Sequence, residues 1–350
     1  RASVVRSSRS ISLILCGIVG LVAPAVTEVL QSSGQEGGYW IVRDGGERRL
    51  SGPDGEEMQV NLPPGAVLHD LEPTRTGWLA AGRIPTTHGS ELLIIESRNG
   101  ITDLIGVPSR SDGQFQGQPA LLVERDRLVG LVWAEGDAHD QLAIRASPWN
   151  ADGWGTPELI SPPGPGSQLA PAGIVLEDGS WLAVWPAFDG TDDEIRWSRR
   201  IEGEWTSPER IHPDNEVPDL LPDVIAIDGG ALAAWSWFDG NDYRLRISRL
   251  TEGVWSEVET LGARGSVEAG LLQTEDGVRL LYKTVMPASW TVLDLDRGGF
   301  VRRQAVLRAD TPDRPLVLSA RDGRVGLHWP AIDNQARPSS EHVLDWREPE

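Results

Sequence analysis

The sequence predicts an all-β fold, a six-bladed β-propeller of four-stranded antiparallel blades. Three observations carry that expectation. The first is a duplication. EDGSWLAVWPAFDGTDDEIRWSRRIEGEWTSPERI (177–211) and IDGGALAAWSWFDGNDYRLRISRLTEGVWSEVETL (227–261) align at an offset of 50 residues. Trp185/Trp235, Phe188/Phe238, Ser198/Ser248 and Trp205/Trp255 all keep it. A unit of this length made of short apolar runs cannot bury its own apolar side, so copies must stack on one another. The second is a series of marks: WLAAG, GLVW, LAVW, LAAW, RLLY and GLHW, ending at Gly82, Trp133, Trp185, Trp235, Tyr282 and Trp329. Their spacings are 51, 52, 50, 47 and 47 residues, which implies six units. The third is a turn series. Asp178-Gly179, Asp228-Gly229, Asp276-Gly277 and Asp322-Gly323 each precede a mark by six or seven residues. Asp-Gly between two apolar runs favours a tight hairpin, because Gly accepts positive φ.

The elements follow in order. Residues 1–26 read as an export signal or N-terminal anchor: Arg1, Arg6 and Arg9, an apolar run at 11–22, then Ala23-Pro24-Ala25 as a cleavage site. Residues 27–38 read as a flexible spacer, and 39–350 as a single domain. Tyr39–Arg43 and Glu57–Leu62 are strand candidates. The marks close the second strand of each blade. Third strands are expected at Glu91–Glu96, Gln141–Ala146, Glu194–Ser198, Tyr243–Ser248, Trp290–Leu295 and His342–Trp346. Fourth strands are expected at Trp154–Ile160, Trp205–Ile211, Trp255–Leu261 and Phe300–Leu307. The last blade then lacks a fourth strand, and Glu57–Leu62 is the expected donor that closes the ring and removes its open edge.

Composition narrows the function. Acidic residues outnumber basic ones 52 to 32, for a net charge of −20 over 350 residues. Such a surface repels phosphate backbones, so nucleic acid is not an expected partner. A membrane is expected only through an uncleaved N-terminal segment. The single cysteine, Cys16, lies in the apolar leader, so no disulfide framework and no Cys-based metal site is expected. The six His show no HxH or HxxxH pair, and no GxxxxGK[ST] loop or GxSxG elbow occurs. A monomer exported to the periplasm, cell surface or medium is the expected setting.

Between third and fourth strands a spacing recurs. Ser147, Ser198 and Ser248 each lie seven residues before Trp154, Trp205 and Trp255, with a Gly one or two positions ahead of each Trp. With the TSPERI and GTPELI tails, this resembles the Asp-box of sialidase-like, BNR-repeat propellers over residues 66–346. The family's Asp, two residues after the Ser, is replaced here by Trp149, Arg200 and Leu250. A catalytic member would need three Arg for the substrate carboxylate, a Tyr–Glu nucleophile pair and an acid/base Asp. Gly82-Arg83-Ile84-Pro85 is similar to the family's Arg-Ile-Pro signature, but it follows a second strand rather than a first. Of the three Tyr, Tyr282 stands where other units carry Trp and reads as packing. The resemblance therefore implies the fold and not the family's chemistry.

Two functional readings remain. In the first the chain is a non-catalytic recognition module for a glycan or a protein partner. Its loops Pro186–Asp193 and Ser236–Tyr243 gather aromatics and carboxylates on one face. Trp185, Phe188, Trp235, Trp237 or Phe238 would stack a ring, while Asp189, Asp193, Asp239 or Asp242 accepts hydroxyl hydrogen bonds. In the second it is a glycoside hydrolase using two of Asp70, Asp223 and Glu268, which fall at the starts of first strands. No cofactor is expected; the Asp-rich loops could take Ca²⁺ through oxygen ligands, although no spacing matches a known calcium loop.

Overall fold

The protein is described by a computed structural model. It covers residues 62–308 apart from 75, 99–100, 110–113, 137–140, 214, 275 and 286–288, and the strands within 29–59 and 317–328. The leader, Asp322-Gly323, Trp329, His342–Trp346 and the side chain of Glu268 lie outside the described residues. Every regular element described is a β-strand. The strands form consecutive antiparallel units, at 29–59, 67–105, 115–161, 172–210, 219–261, 266–308 and 317–328. A lone parallel bridge, Ser90 to Phe115, links the second unit to the third. The first strands of successive units lie side by side from the first unit through the sixth, an arrangement of the β-propeller kind.

Five marks fall on second strands as expected, Gly77–Pro85, Arg127–Gly136, Trp181–Phe188, Gly230–Phe238 and Gly277–Thr284; the strand Arg324–His328 carries the start of the sixth, whose Trp329 lies outside the described residues. The described strands make seven units, one more than the marks count. The extra unit is N-terminal. Val29–Gln31, within the stretch read as spacer, pairs with Trp40–Asp44, and that strand pairs with Glu47–Ser51. Glu57–Gln59 completes the same sheet. The strand expected to close the last blade is thus the outer strand of its own unit. No Trp ends the second strand of this unit, so the marks could not count it.

Apolar cores lie between units. Leu182, Val184 and Ile195 of the fourth unit meet Val224, Ala233 and Trp235 of the fifth. Ile225, Leu232 and Ile247 of the fifth meet Leu271, Leu280 and Leu293 of the sixth. Each sheet is covered by its neighbours, which explains why apolar residues occur on both faces of the central strands.

Two polar devices fix the spacing. Near bulges in the first strands, a side chain turns toward the next unit. Asp70 accepts from its neighbour Leu71 N at 2.9 Å and from Leu121 N of the third unit at 2.6 Å. Asp223 repeats this with Val224 N and Leu271 N, both at 2.9 Å. Gln118 Oε1 accepts from Ala170 N at 2.8 Å. The second device is the Ser–Trp box. Ser147, Ser198 and Ser248 each donate to the carbonyl after the box Trp, on Gly155, Thr206 and Ser256, at 2.8, 2.7 and 2.9 Å. In two copies a hydroxyl takes over from the missing Asp: Thr206 Oγ1 and Ser256 Oγ accept from Arg199 N and Arg249 N at 3.0 and 3.1 Å. The box Trp reaches back to the preceding unit. Trp205 Nε1 donates to Glu158 at 2.9 Å, Trp154 Nε1 donates to the Gly106 carbonyl, and Trp255 packs edge-on against Trp197.

These contacts overturn one expectation. Asp70 and Asp223, offered as catalytic carboxylates, are buried and spend both oxygens on backbone amides. Removing either strands two buried N–H groups. Asp70→Ala and Asp223→Ala should each lower the unfolding free energy by about 2–4 kcal/mol in urea titrations. Exposed Asp103→Ala should change it by less than about 0.5 kcal/mol.

Candidate functional site

The two duplicated loops are built alike. Asp189 N bonds the Asp192 carbonyl at 3.0 Å, and Asp189 Oδ1 accepts from Thr191 N at 2.9 Å. Asp239 N bonds the Asp242 carbonyl at 2.9 Å, and its Oδ1 accepts from Asn241 N and Asp242 N at 2.9 and 2.8 Å. Gly190 and Gly240 sit at φ of 114° and 89°, which L side chains rarely adopt. Each leading Asp also holds an arginine: Asp189 pairs with Arg210 at 2.5 Å, and Asp239 with Arg244 at 3.2 Å.

The aromatic candidates separate into two groups. Trp185 and Trp235 are fully buried, with indole N–H groups given to Gln168 Oε1 at 2.8 Å and Asp219 Oδ1 at 2.5 Å. They are core residues and present no face to a ligand. Trp237 and Phe188 are half-buried. The Arg246 guanidinium lies 3.8 Å from the centre of the Trp237 ring and covers one face. The Phe188 ring packs against Gly166, where a Cβ would come within 2.4 Å of it. Phe238 meets Tyr243 at 5.1 Å between ring centres, and Tyr243 is 38% exposed. Asp193 and Asp242 are half-buried on the same loops. Arg83, the residue of the Arg-Ile-Pro stretch, lies on a second strand with its guanidinium 5.8 Å from the centre of the Phe115 ring. Tyr282 is buried, and burial raises its pKa.

Beneath the first loop lies a cluster that sequence spacing did not reveal. Glu194 comes from the third strand of the fourth unit, His212 from the crossing to the fifth, and Asp219 from the start of the fifth unit's first strand. Glu194 and Asp219 have no exposed surface, and His212 has 8%. His212 Nε2 lies 3.2 Å from Asp219 Oδ2 and 3.9 Å from Glu194 Oε2. Its ring stacks on Trp235, with planes 4° apart. Its Nδ1 is 2.6 Å from the Pro213 carbonyl, an acceptor, so Nδ1 carries a hydrogen. Asp219 is held on both oxygens, by Trp235 Nε1 and by Asn215 Nδ2 at 2.6 Å, with Arg246 Nη1 at 3.6 Å. Neither oxygen of Glu194 meets a donor in good hydrogen-bond geometry, although the Asn215 amide acts on it. Asp189 and Asp192 place their carboxylates within 4.8 Å of that of Glu194 on its other side.

Burial pushes Glu194 up from 4.5 to about 7, with Asp219 adding to the rise and His212 and Arg210 opposing it. Burial alone would lower His212, but the hydrogen bond and charge of Asp219, the Pro213 carbonyl and Glu194 outweigh it and raise the imidazole above 6.5. The repeat carries a faint signal of this site. Gln168 and Asp219 occupy equivalent positions, each bonded to the marker Trp of its unit, so a carboxylate stands where the preceding unit has a neutral amide. Glu194 likewise aligns with Arg244 at the 50-residue offset.

No protein-family model and no curated relative matches the sequence. Solved structures do resemble it. A puromycin-hydrolyzing peptidase of Mycobacterium tuberculosis is similar at a TM-score of 0.52 and 16% identity, over 90% of this chain and 52% of that one. The chain thus spans about half the length of the peptidase. A protein of unknown function from Dyadobacter fermentans gives 0.48 and 15%, over 81% of this chain and 98% of that one. The Hadza microbial sialidase Hz136 gives 0.46 and 13%, over 84% and 70%. At such identities the likeness concerns the fold.

The cluster sets a pH dependence. A carboxyl whose folded pKa lies above its unfolded value stabilises the fold below about pH 4.5, and that contribution is lost as pH rises through about 7. His212, also raised, shifts stability in the same direction. In chelator-containing buffer the wild type should therefore lose melting temperature relative to Glu194→Gln between acid and neutral pH. Parallel curves would contradict a buried, raised Glu194.

Proposed function

We propose that the chain is an exported recognition module that binds a glycan on the face formed by its two duplicated loops. The observation that carries this reading is the loops themselves. Both are locked by side-chain-to-backbone bonds from Asp189 and Asp239. They set half-buried Phe188, Trp237 and Phe238 and exposed Tyr243 beside fixed carboxylate–guanidinium pairs. Rigid apolar rings next to oriented polar groups fit the two-sided character of a sugar ring, and prior locking of the loops reduces the ordering entropy of binding. Full closure of the propeller is part of the same reading. The fold by itself does not choose between binding and catalysis, so the site must decide.

A second reading, a two-carboxylate glycoside hydrolase, is favoured by one observation. Burial pushes Glu194 up to about 7 beside a second carboxylate, Asp219, as the acid of such a pair requires. Both carboxylates are fully buried, however, and present no surface to a sugar.

A glycan array on the mature chain should give a discrete set of signals, with binding weakened by about tenfold or more in Trp237→Ala and Tyr243→Ala, as expected when stacked aromatics are truncated. Absence of any glycan signal would remove the reading. Turnover of aryl glycosides that disappears in Glu194→Gln would replace it with the hydrolase.

A further inference from the structure

The Glu194–His212–Asp219 cluster presents an electrostatic problem that the glycan reading does not use. With Nδ1 hydrogen-bonded to the Pro213 carbonyl, a neutral His212 turns the lone pair of Nε2 toward two carboxylates. Nε2 faces Asp219 Oδ2 at 3.2 Å, and neither oxygen of Glu194 meets a donor in good hydrogen-bond geometry. Three electron-pair donors thus converge in a place sealed from water, with Asp189 and Asp192 adding carboxylates on the far side of Glu194. Arg210 and Arg246 act on Glu194 through their charge and offset part of it, while they form ion pairs with Asp189 and Asp219. An assembly of buried acceptors is compensated by a bound proton or by a metal cation among them.

We propose that Glu194, Asp219 and His212 Nε2 form a binding site for a divalent transition-metal ion of the zinc or manganese kind. Three features support a metal ion. The ligand atoms lie within 4.8 Å of one another, with Nε2 3.2 Å from Asp219 and 3.9 Å from Glu194. Two ligands about 2.0–2.2 Å from one tetrahedral ion stand roughly 3.3–3.6 Å apart, so small shifts would close the shell. One imidazole with carboxylates is a donor set for zinc or manganese, whereas calcium takes oxygen ligands. Finally, the supporting contacts are those that orient metal ligands. The second imidazole nitrogen donates to a carbonyl, the ring is stacked on Trp235, and Asp219 is anchored by Trp235 and Asn215. The ion would tie the fourth unit, the crossing and the fifth unit together beneath the Asp189 loop.

This inference does not rest on the glycan reading, and its test needs no ligand but the metal. Full-length protein stripped with a chelator is titrated with Zn²⁺ and Mn²⁺ by calorimetry at neutral pH, with melting temperature followed in parallel. One ion per chain and a raised melting temperature are expected, together with the visible absorption of Co²⁺ in a nitrogen-containing site. Glu194→Gln and Asp219→Asn should weaken binding by at least about tenfold. Exposed His88→Ala should not. If Asp219→Asn proves unstable, Glu194→Gln alone decides, because it removes no hydrogen bond seen in the structure. Failure of the wild type to bind any of these ions stoichiometrically would overturn the proposal, as would equal affinity in Glu194→Gln. A proton on His212 would then be the cation of the cluster.

Discussion

Every unit in this chain is a small sheet with an apolar surface on each side, and that surface has to be covered by the neighbouring sheet. The cores accordingly lie between units: Val184 and Ile195 with Val224 and Trp235, then Ile225 and Leu232 with Leu271 and Leu280. Burial of this kind is strong but does not fix position, since apolar surfaces can slide. Position comes from the polar contacts at the sheet edges. Asp70, Gln118 and Asp223 each reach the backbone of the next unit, and Trp154, Trp205 and Trp255 reach the previous one. A buried side chain that satisfies a buried amide in the neighbouring sheet favours a single stacking offset, because any other leaves both groups unpaired.

The same constraint shows why the seam between the fourth and fifth units stands apart. At other described seams Asp70, Gln118 and Asp223 each satisfy a backbone amide of the next unit. At this seam, a position that carries neutral Gln168 in the preceding unit carries Asp219, and Glu194 and His212 are buried against it. Ionisable groups in an apolar seam weaken the fold unless something compensates them. Natural sequences depart from local consistency chiefly where a function requires it, and this seam, where the chain departs from its own repeat, is the one proposed to hold a metal ion.

Much of the architecture could be read from the sequence because it depends on a repeated text. The marks at Gly82, Trp133, Trp185, Trp235 and Tyr282 and the seven-residue Ser-to-Trp spacing all correspond to strands and contacts in the structure. The N-terminal unit escaped notice because no aromatic mark ends its second strand, so nothing in it aligned with the others. The roles of single residues were harder to read. Trp185 and Trp235 share a loop-proximal position with Phe188 and Trp237, but the strands are buried on both faces along their middles and half-buried only at the loop ends where Phe188 and Trp237 stand, a depth that spacing in the sequence does not give. Asp70 and Asp223 looked like carboxylates at a channel, but the bulges that turn them onto Leu121 and Leu271 leave no mark in the text. Glu194, His212 and Asp219 span three elements at irregular spacing, so only the fold brings them together.

The stacking of units through buried side-chain-to-backbone contacts can be read directly by native-state hydrogen exchange. The amides of Leu121, Ala170 and Leu271 are hydrogen-bonded to side chains of the preceding unit. On this account they exchange only through global unfolding, as slowly as the central-strand amides of their own sheets. Exchange of these three at the rate of the exposed loop amides, with the central strands still protected, would show that the units are held by apolar contact alone.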